Sequence, residues 1–374
     1  MRVVVAPDKV KGCLTAAQVA HALIEGFSDV IPDARFVPVP MADGGDGTVA
    51  AFLEGGATAR TVTVSGPLGA PVNATYARDG ELAVIEMAAA SGLALLDREH
   101  LDVRRATTRG TGELLRDALD SGATRIVLGI GGSATDDGGA GALAALGARF
   151  LDASGAELDP APSSLQTLAR IDLDGLDARL HSVRIEVACD VTEVLLGEHG
   201  ASAVYAPQKG ATEPGDVAFL DATLARLADA MEAATGRVLR EKKGSGAAGG
   251  LGWALASACE AKLERGVKLV ARVRGLKRAL RDADLCLTGE GRIDGQTLSG
   301  KVVDGVARLA RKRRVPVIAF GGSVEPDAES VLRERGVVCI PIVPGPLGLK
   351  AAITHAEANL RAAAARVAAL LDTV

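Results

Sequence analysis

Aromatic side chains are scarce in this chain of 374 residues, with one tryptophan, two tyrosines and six phenylalanines. That argues against a stacking platform for single-stranded nucleic acid. A basic excess is missing too. The net charge is −5 and the pI is about 5.7. No global field draws in polyanions, so an anionic ligand has to be held locally. The five cysteines (Cys13, Cys189, Cys259, Cys286, Cys339) are odd in number and form no C-x-x-C pair, and the five histidines are unclustered. A disulfide scaffold and a structural zinc site are thereby excluded. No run of about 18 uncharged apolar residues exists to span a bilayer. The apolar run near the N-terminus meets charge at Asp8 and Lys9, too early for a signal peptide. These absences point to a cytoplasmic protein with neither membrane nor nucleic acid among its partners. Low hydrophobicity is also absent: 48% of residues are hydrophobic and mean hydropathy is +0.22, which excludes a disordered chain.

What the chain has in excess is glycine, 45 residues against 15 prolines, gathered into short polar runs of the kind that let backbone approach a ligand. The length suits two domains. Val3 to Ala6 reads as a strand. Thr15 and Gln18 make a capping box for a helix carrying Ala17, Ala20, Leu23, Ile24 and Phe27. Phe36 to Val39 is a second strand. Thr61–Val64, Val72–Tyr76 and Leu82–Ile85 read as antiparallel strands. A helix over 112–120 and buried strands at Arg125–Ile130 and Ile185–Ala188 follow, then helical periodicity over 216–235 and 250–264. Strand–helix alternation returns with strands at Leu285–Leu287, Val315–Phe320 and Val337–Ile340, and a closing helix over 351–371. The expected fold is α/β. Residues 1–61 and 281–374 form a discontinuous, Rossmann- or flavodoxin-like parallel-sheet domain, and 62–280 form an inserted mixed α/β domain.

Ligands of parallel α/β sheets bind beyond the carboxyl ends of strands, and Gly and Asp recur together there. Gly129 to Gly139 reads GIGGSATDDGG. Its glycines Gly131, Gly132, Gly138 and Gly139, with Ser133, suit phosphate oxygens, and Asp136 and Asp137 suit a divalent cation. The plainer reading is a tight turn with capping side chains. MADGGDGT (41–48) offers Asp43 with Gly44 and Gly45; a turn capped by Asp46 is its alternative. PDKVKG (7–12) places Asp8 and Lys11 just after the first strand. Asp190 ends an apolar strand, facing a cleft or capping the next turn. Lys209 sits in a tight turn. The run 244–252 is either a hinge or a close-approach loop. GEGRIDGQ (289–296), followed by Lys301, offers Glu290, Arg292 and Asp294 for an anion or metal. There is no P-loop, and the 129–139 run contains no G-x-G-x-x-G.

Taken in order, PDKVKGCLTA (7–16), MADGGDGT (41–48), GIGGSATDDGGAG (129–141), CDV (189–191), PQKGA (207–211), GAAGGLG (246–252) and TGEGRIDGQTLSGK (288–301) resemble the bacterial glycerate kinases of the glycerate 2-kinase type. The match runs along nearly the whole chain. It departs at Lys9-Val10, where the family usually has Ser-Phe, at Cys13 (Ser), at Asp136 (Asn) and at Glu193-Val194 (Asn-Pro). The resemblance implies ATP-dependent, Mg²⁺-dependent phosphorylation of D-glycerate, with family habit favouring the 2-hydroxyl. It also implies two α/β domains with the site in the cleft between them. In that scheme Asp190 accepts the hydroxyl proton, with Asp43 as its rival, and Lys11 assists. Asp8, Lys209, Arg292, Lys301 and the glycines bind substrate and phosphates. Asp136, Asp137, Glu290 and Asp294 hold the metal. The expected partners are ATP and D-glycerate, with a homodimer as the candidate assembly. A kinase of another small hydroxy acid, and a non-catalytic nucleotide- or metabolite-binding regulator on the same fold, remain the alternatives.

Overall fold

A computed structural model describes residues 1–373. In chain order the elements are β1 (Arg2–Val5), α1 (Ala16–Ser28), β2 (Arg35–Pro38), α2 (Thr48–Glu54), β3 (Thr58–Ser65), β4 (Pro71–Asp79), β5 (Leu82–Glu86), α3 (Ala88–Ser91), α4 (Arg109–Asp120), β6 (Arg125–Gly129), α5 (Ala140–Ala145), β7 (Arg149–Leu151), β8 (Arg170–Asp172), β9 (Arg184–Ala188), α6 (Ala201–Tyr205), α7 (Asp216–Thr235), α8 (Leu251–Cys259), β10 (Lys262–Glu264), α9 (Gly266–Val273), α10 (Leu276–Ala279), β11 (Leu285–Ile293), α11 (Val302–Arg311), β12 (Val317–Val324), α12 (Pro326–Glu334), β13 (Val337–Pro341), α13 (Leu349–Thr354) and α14 (Ala356–Asp372). The chain divides into two compact units. The first comprises residues 1–43, 50–55 and 265 onward, the second 44–49 and 56–264. The expected mixed α/β fold is what the chain adopts.

The first unit is built on a five-stranded sheet in the order β13-β12-β11-β1-β2, parallel throughout. The β-branched run Val3–Val5 is fully buried at its centre. Helix α1 starts as its capping box dictates, with the Thr15 hydroxyl accepting from the Gln18 amide at 3.2 Å and the Gln18 side chain accepting from the Thr15 amide at 2.8 Å. Its apolar face joins Leu360, Ala363, Ala364 and Val367 of α14 in the core over the sheet. From β1 the chain moves to β2 on one side, then returns as β11 on the other, so the strand order reverses between β1 and β11. That reversal opens a crevice at the carboxyl ends of these two strands.

The second unit holds a six-stranded sheet in the order β10-β9-β6-β5-β4-β3. Strands β3, β4 and β5 are antiparallel, while β5, β6, β9 and β10 run parallel. A large apolar core, including Trp253, Phe150 and Tyr76, packs around it. Strands β7 and β8 form a separate two-stranded ribbon.

Several elements differ from the sequence reading: β12 runs on to Val324, the closing helix is divided into α13 and α14, and α8 and β11 depart most clearly. Helical periodicity continues to 264, but α8 stops at Cys259, because Glu260 takes a left-handed φ of +56° and the chain then pairs with β9 as β10. Strand β11 runs on through TGEGRI, read above as loop, because it stays paired with β12 as far as Ile293↔Val324. Its glycines permit this: a Cβ on Gly289 would stand 2.5 Å from the Phe320 carbonyl oxygen. Among the described residues no helix is long and apolar enough to cross a membrane.

Candidate functional site

In the first unit, three of the motifs meet at the β1/β11 reversal. The Asp8 amide donates to the Gly289 carbonyl at 2.8 Å, and the Met41 amide donates to the Pro7 carbonyl at 2.8 Å. These bonds set Asp8, Asp43 and Glu290 near enough to feel one another's charge. Burial pushes the Asp8 carboxyl up to about 7; Asp43 and Glu290 add to the rise, against the opposing Lys9 amide and charge. Glu290 is only 6% exposed. Burial lifts it to about 7 as well, with Asp294 and Asp43 pushing the same way and the Thr297 hydroxyl and Lys301 pulling it back. Thr297 donates to Glu290 Oε1 at 2.5 Å and accepts from the Asp294 amide at 3.0 Å. Nothing in the sequence singled Thr297 out.

The neighbouring charged residues take other work. Asp294 accepts from the Gln296 amide at 2.8 Å, so it builds the turn that presents Thr297. Arg292 is exposed and pairs with Glu325. Lys301 donates to the Gln296 side chain at 2.9 Å. Lys11 is exposed on the turn that the Val10 amide closes onto the Leu14 carbonyl at 2.9 Å.

In the second unit, β6 empties into Gly131-Gly132-Ser133. The 44–49 segment lies against this turn: a Cβ on Gly129 would sit 2.3 Å from the Gly44 carbonyl oxygen, and one on Gly131 would sit 3.3 Å from Gly45 Cα. Glu86, at the carboxyl end of β5, accepts from the Val49 amide at 2.7 Å. Its place at a strand end is the signal that marked Asp190, and the sequence reading passed over it. The turn itself is pinned through carbonyls and flanking amides, with Leu93 N donating to Gly132 O and Ala134 N to Ser91 O, both at 2.9 Å. Among the described residues the amides of Gly131, Gly132 and Ser133 donate to no protein acceptor. Gly131 and Gly132 are exposed. Three successive amides left this way are donors that an anion could take.

Beyond that turn the structure corrects the expectations for the same loop. Gly138 and Gly139 are buried and serve packing: Cβ atoms there would stand 2.2 Å from Leu227 Cδ2 and 2.7 Å from Ala254 Cβ. Asp137, 1% exposed, is saturated by four donors from Thr108 N, Thr108 Oγ1, Gly139 N and Gly141 N. Asp136 is fully buried and accepts from Ser202 Oγ at 2.7 Å. Both acids are enclosed in the protein, Asp137 by its four donors and Asp136 beside Ser202. Lys209, 2% exposed, is likewise enclosed, its Nζ donating to Thr135 O at 2.7 Å. Asp190 is exposed at the end of β9. Beside it, burial pushes the Cys189 thiol up to about 11, which makes Cys189 inert as a nucleophile.

Among the described residues no three His, Cys, Asp or Glu side chains are grouped closely enough to cage a metal ion. Mg²⁺ needs no such cage, since it commonly rides on phosphates and takes one or two carboxylates with water. The Asp8, Asp43 and Glu290 group fits that pattern, with hard oxygen donors whose mutual repulsion a cation would relieve.

Carboxylates at a topological switch point and free amides after a parallel strand are features with which an α/β protein can hold a phosphorylated ligand and its cation. A sequence profile described as the Glycerate kinase family matches residues 3–372. The chain is 46% identical to the "Glycerate kinase" of Bacillus subtilis (strain 168), over 99% of this chain and 97% of that protein. It is 45% identical to the "Glycerate 2-kinase" of Escherichia coli (strain K12), over 99% and 98%. The crystal structure of a putative glycerate kinase 2 from Salmonella typhimurium LT2 superposes with a TM-score of 0.89 at 44% identity, covering 100% of this chain and 98% of that one. The chain belongs to the glycerate kinase family.

Proposed function

We propose that the protein transfers the γ-phosphoryl group of ATP, with Mg²⁺, to the 2-hydroxyl of D-glycerate, giving 2-phosphoglycerate and ADP. The observation that carries this reading is the full-length likeness to a named glycerate 2-kinase, 45% identity over 99% of the chain. The two phosphate-handling features support it. Phosphoryl transfer asks a protein for positioning and charge neutralisation more than for covalent chemistry. The outward amides of Gly131, Gly132 and Ser133 bind nucleotide phosphate oxygens, and Gly44 and Gly45 let the chain lie close beside them. Glu290, with Asp8 or Asp43, supplies carboxylate oxygens to Mg²⁺, which when bound neutralises charge on the transferring group. Asp190 accepts the proton of the attacking hydroxyl, with Asp43 as the rival. Lys11 and Lys301 are the cations available to the substrate carboxylate. The same reading places the enzyme in a reducing cytoplasm, which suits cysteines that are all unpaired.

Phosphorus NMR of the products formed from D-glycerate and Mg-ATP tests the reading. The expected spectrum shows ADP and 2-phosphoglycerate. Formation of 3-phosphoglycerate overturns the regiochemistry alone. ADP release only with a different hydroxy acid overturns the acceptor, and no release with any acceptor overturns the reaction.

A further inference from the structure

Resting on the phosphate-binding role of the Gly131–Ser133 amide nest, we infer that Lys209 is a positioning residue: its enclosed ammonium anchors the main chain at Thr135 and so holds the nest in the shape that phosphates require.

The sequence offered Lys209 as a direct ligand of substrate, and its burial removes that role. It ends a short turn, Pro207–Lys209, that closes at Gly210 with a φ of +106°. Leu101 seats this turn, since a Cβ on Gly210 would stand 2.8 Å from Leu101 Cβ. From there the side chain reaches inward to Thr135 O, with the Tyr205 ring centroid 6.0 Å from Nζ. The same carbonyl is pressed from another side by Gly249, where a Cβ would lie 2.3 Å from Thr135 O. The peptide that leaves the nest is therefore clamped between an ammonium and a main chain that only glycine allows so close.

Lys209 shares its enclosure with two acids, Asp136 and Asp137. Burial lowers the Lys209 ammonium from its usual range, and the charges of Asp136 and Asp137 only partly offset that. Asp137 is already satisfied by its four donors. Asp136 holds Ser202 with one oxygen, while its Oδ1 and the neighbouring Thr135 Oγ1 are buried without a hydrogen-bond partner. Asp136 therefore acts on Lys209 through space, with no direct ion pair between them among the described residues, and burial raises its own carboxyl. A buried pair of opposite charges contributes little net stability compared with an apolar pair of the same volume. A pair maintained only for stability would be dispensable as a unit, and one that also shapes the nest would not.

That difference gives the test. Lys209→Met leaves Asp136 buried and uncompensated, so it should melt at lower temperature and bind a fluorescent ADP analogue more weakly. The double variant Lys209→Met/Asp136→Asn removes both charges. It should regain most of the wild-type melting temperature yet still bind the ADP analogue at least about tenfold more weakly, with the loss appearing in KM for ATP more than in kcat. A double variant that binds nucleotide like the wild type overturns the inference, because the pair is then structural alone. A double variant that does not fold also overturns it, for the same reason. If the wild-type protein itself binds no ADP, the phosphate role of the nest fails, and that result is separate from either outcome for the variants.

Discussion

Thr297 gives its hydroxyl hydrogen to Glu290 at 2.5 Å and takes the Asp294 amide in return. A hydrogen bond to a charged group is worth about 1.5–3 kcal/mol. Thr297→Val keeps the shape and loses the donor, so kcat/KM should fall roughly 10- to 100-fold, while Thr297→Ser should keep most activity. Steady-state kinetics decides it, and a valine variant within twofold of wild type would remove Thr297 from the machinery. Asp190→Asn should lower kcat by about 10²- to 10⁴-fold with nucleotide still bound, as expected for a lost proton acceptor; unchanged turnover would pass that role to Asp43. At this scale the sequence was half legible. It marked Asp43 and Glu290 as acids beside glycines, and Asp8 by its place just after the first strand. It offered Asp136, Asp137 and Lys209 as ligands because nothing local in a sequence shows that Asp137 accepts four internal donors or that Asp136 and Lys209 are enclosed. Thr297 was invisible, since a threonine three residues after an aspartate looks like any turn.

Helix α1 shows which elements could be read directly. Its N-terminus follows from Thr15 and Gln18 alone, because a capping box is a local structure. Thr15→Ala should cost about 1 kcal/mol of unfolding free energy in urea, and a loss below a few tenths would deny the cap any weight. The long strands β11 and β12 were not readable, because what extends them is tertiary. Glycine-rich stretches look like loops until a partner strand with its own glycines lies alongside. Gly289→Ala tests this: its methyl would meet the Phe320 carbonyl at 2.5 Å, so destabilisation of roughly 1–3 kcal/mol is expected. Gly295, with nothing within 4 Å of its Cβ position, is the control, and Gly295→Ala should be near neutral. Equal effects at both positions would mean that close strand approach is not what reserves Gly289. The end of α8 was hidden for a related reason. Nothing local in Glu260 announces a left-handed residue; pairing with β9 selects it.

For the whole molecule the titrating acids determine how stability follows pH. Asp8 and Glu290 rise to about 7, from 3.8 and 4.5 respectively. Between those limits the folded protein holds protons that the unfolded chain has released, so stability falls as pH rises through the window. Asp136 and Asp137 are raised too and act in the same direction. The acids whose carboxyls are lowered, such as Asp117 by Arg60 and Asp177 by Arg179, have the opposite sign, and their contribution is lost only as pH drops below the ordinary carboxylate range. The two sets therefore act in separate windows. Without ligand, Tm should decline as pH is raised from about 5.5 to 7.5, and Asp8→Asn, which can no longer ionise at this position, should flatten that decline. Added Mg²⁺ should flatten it as well in the wild type, by stabilising the ionised carboxylates, and should do less in the variant. Calorimetry across that range checks the whole set. A Tm that climbs with pH would mean that Asp8 and Glu290 are not held protonated by the fold, and a decline identical in Asp8→Asn would place its source in Glu290, Asp136 and Asp137 instead.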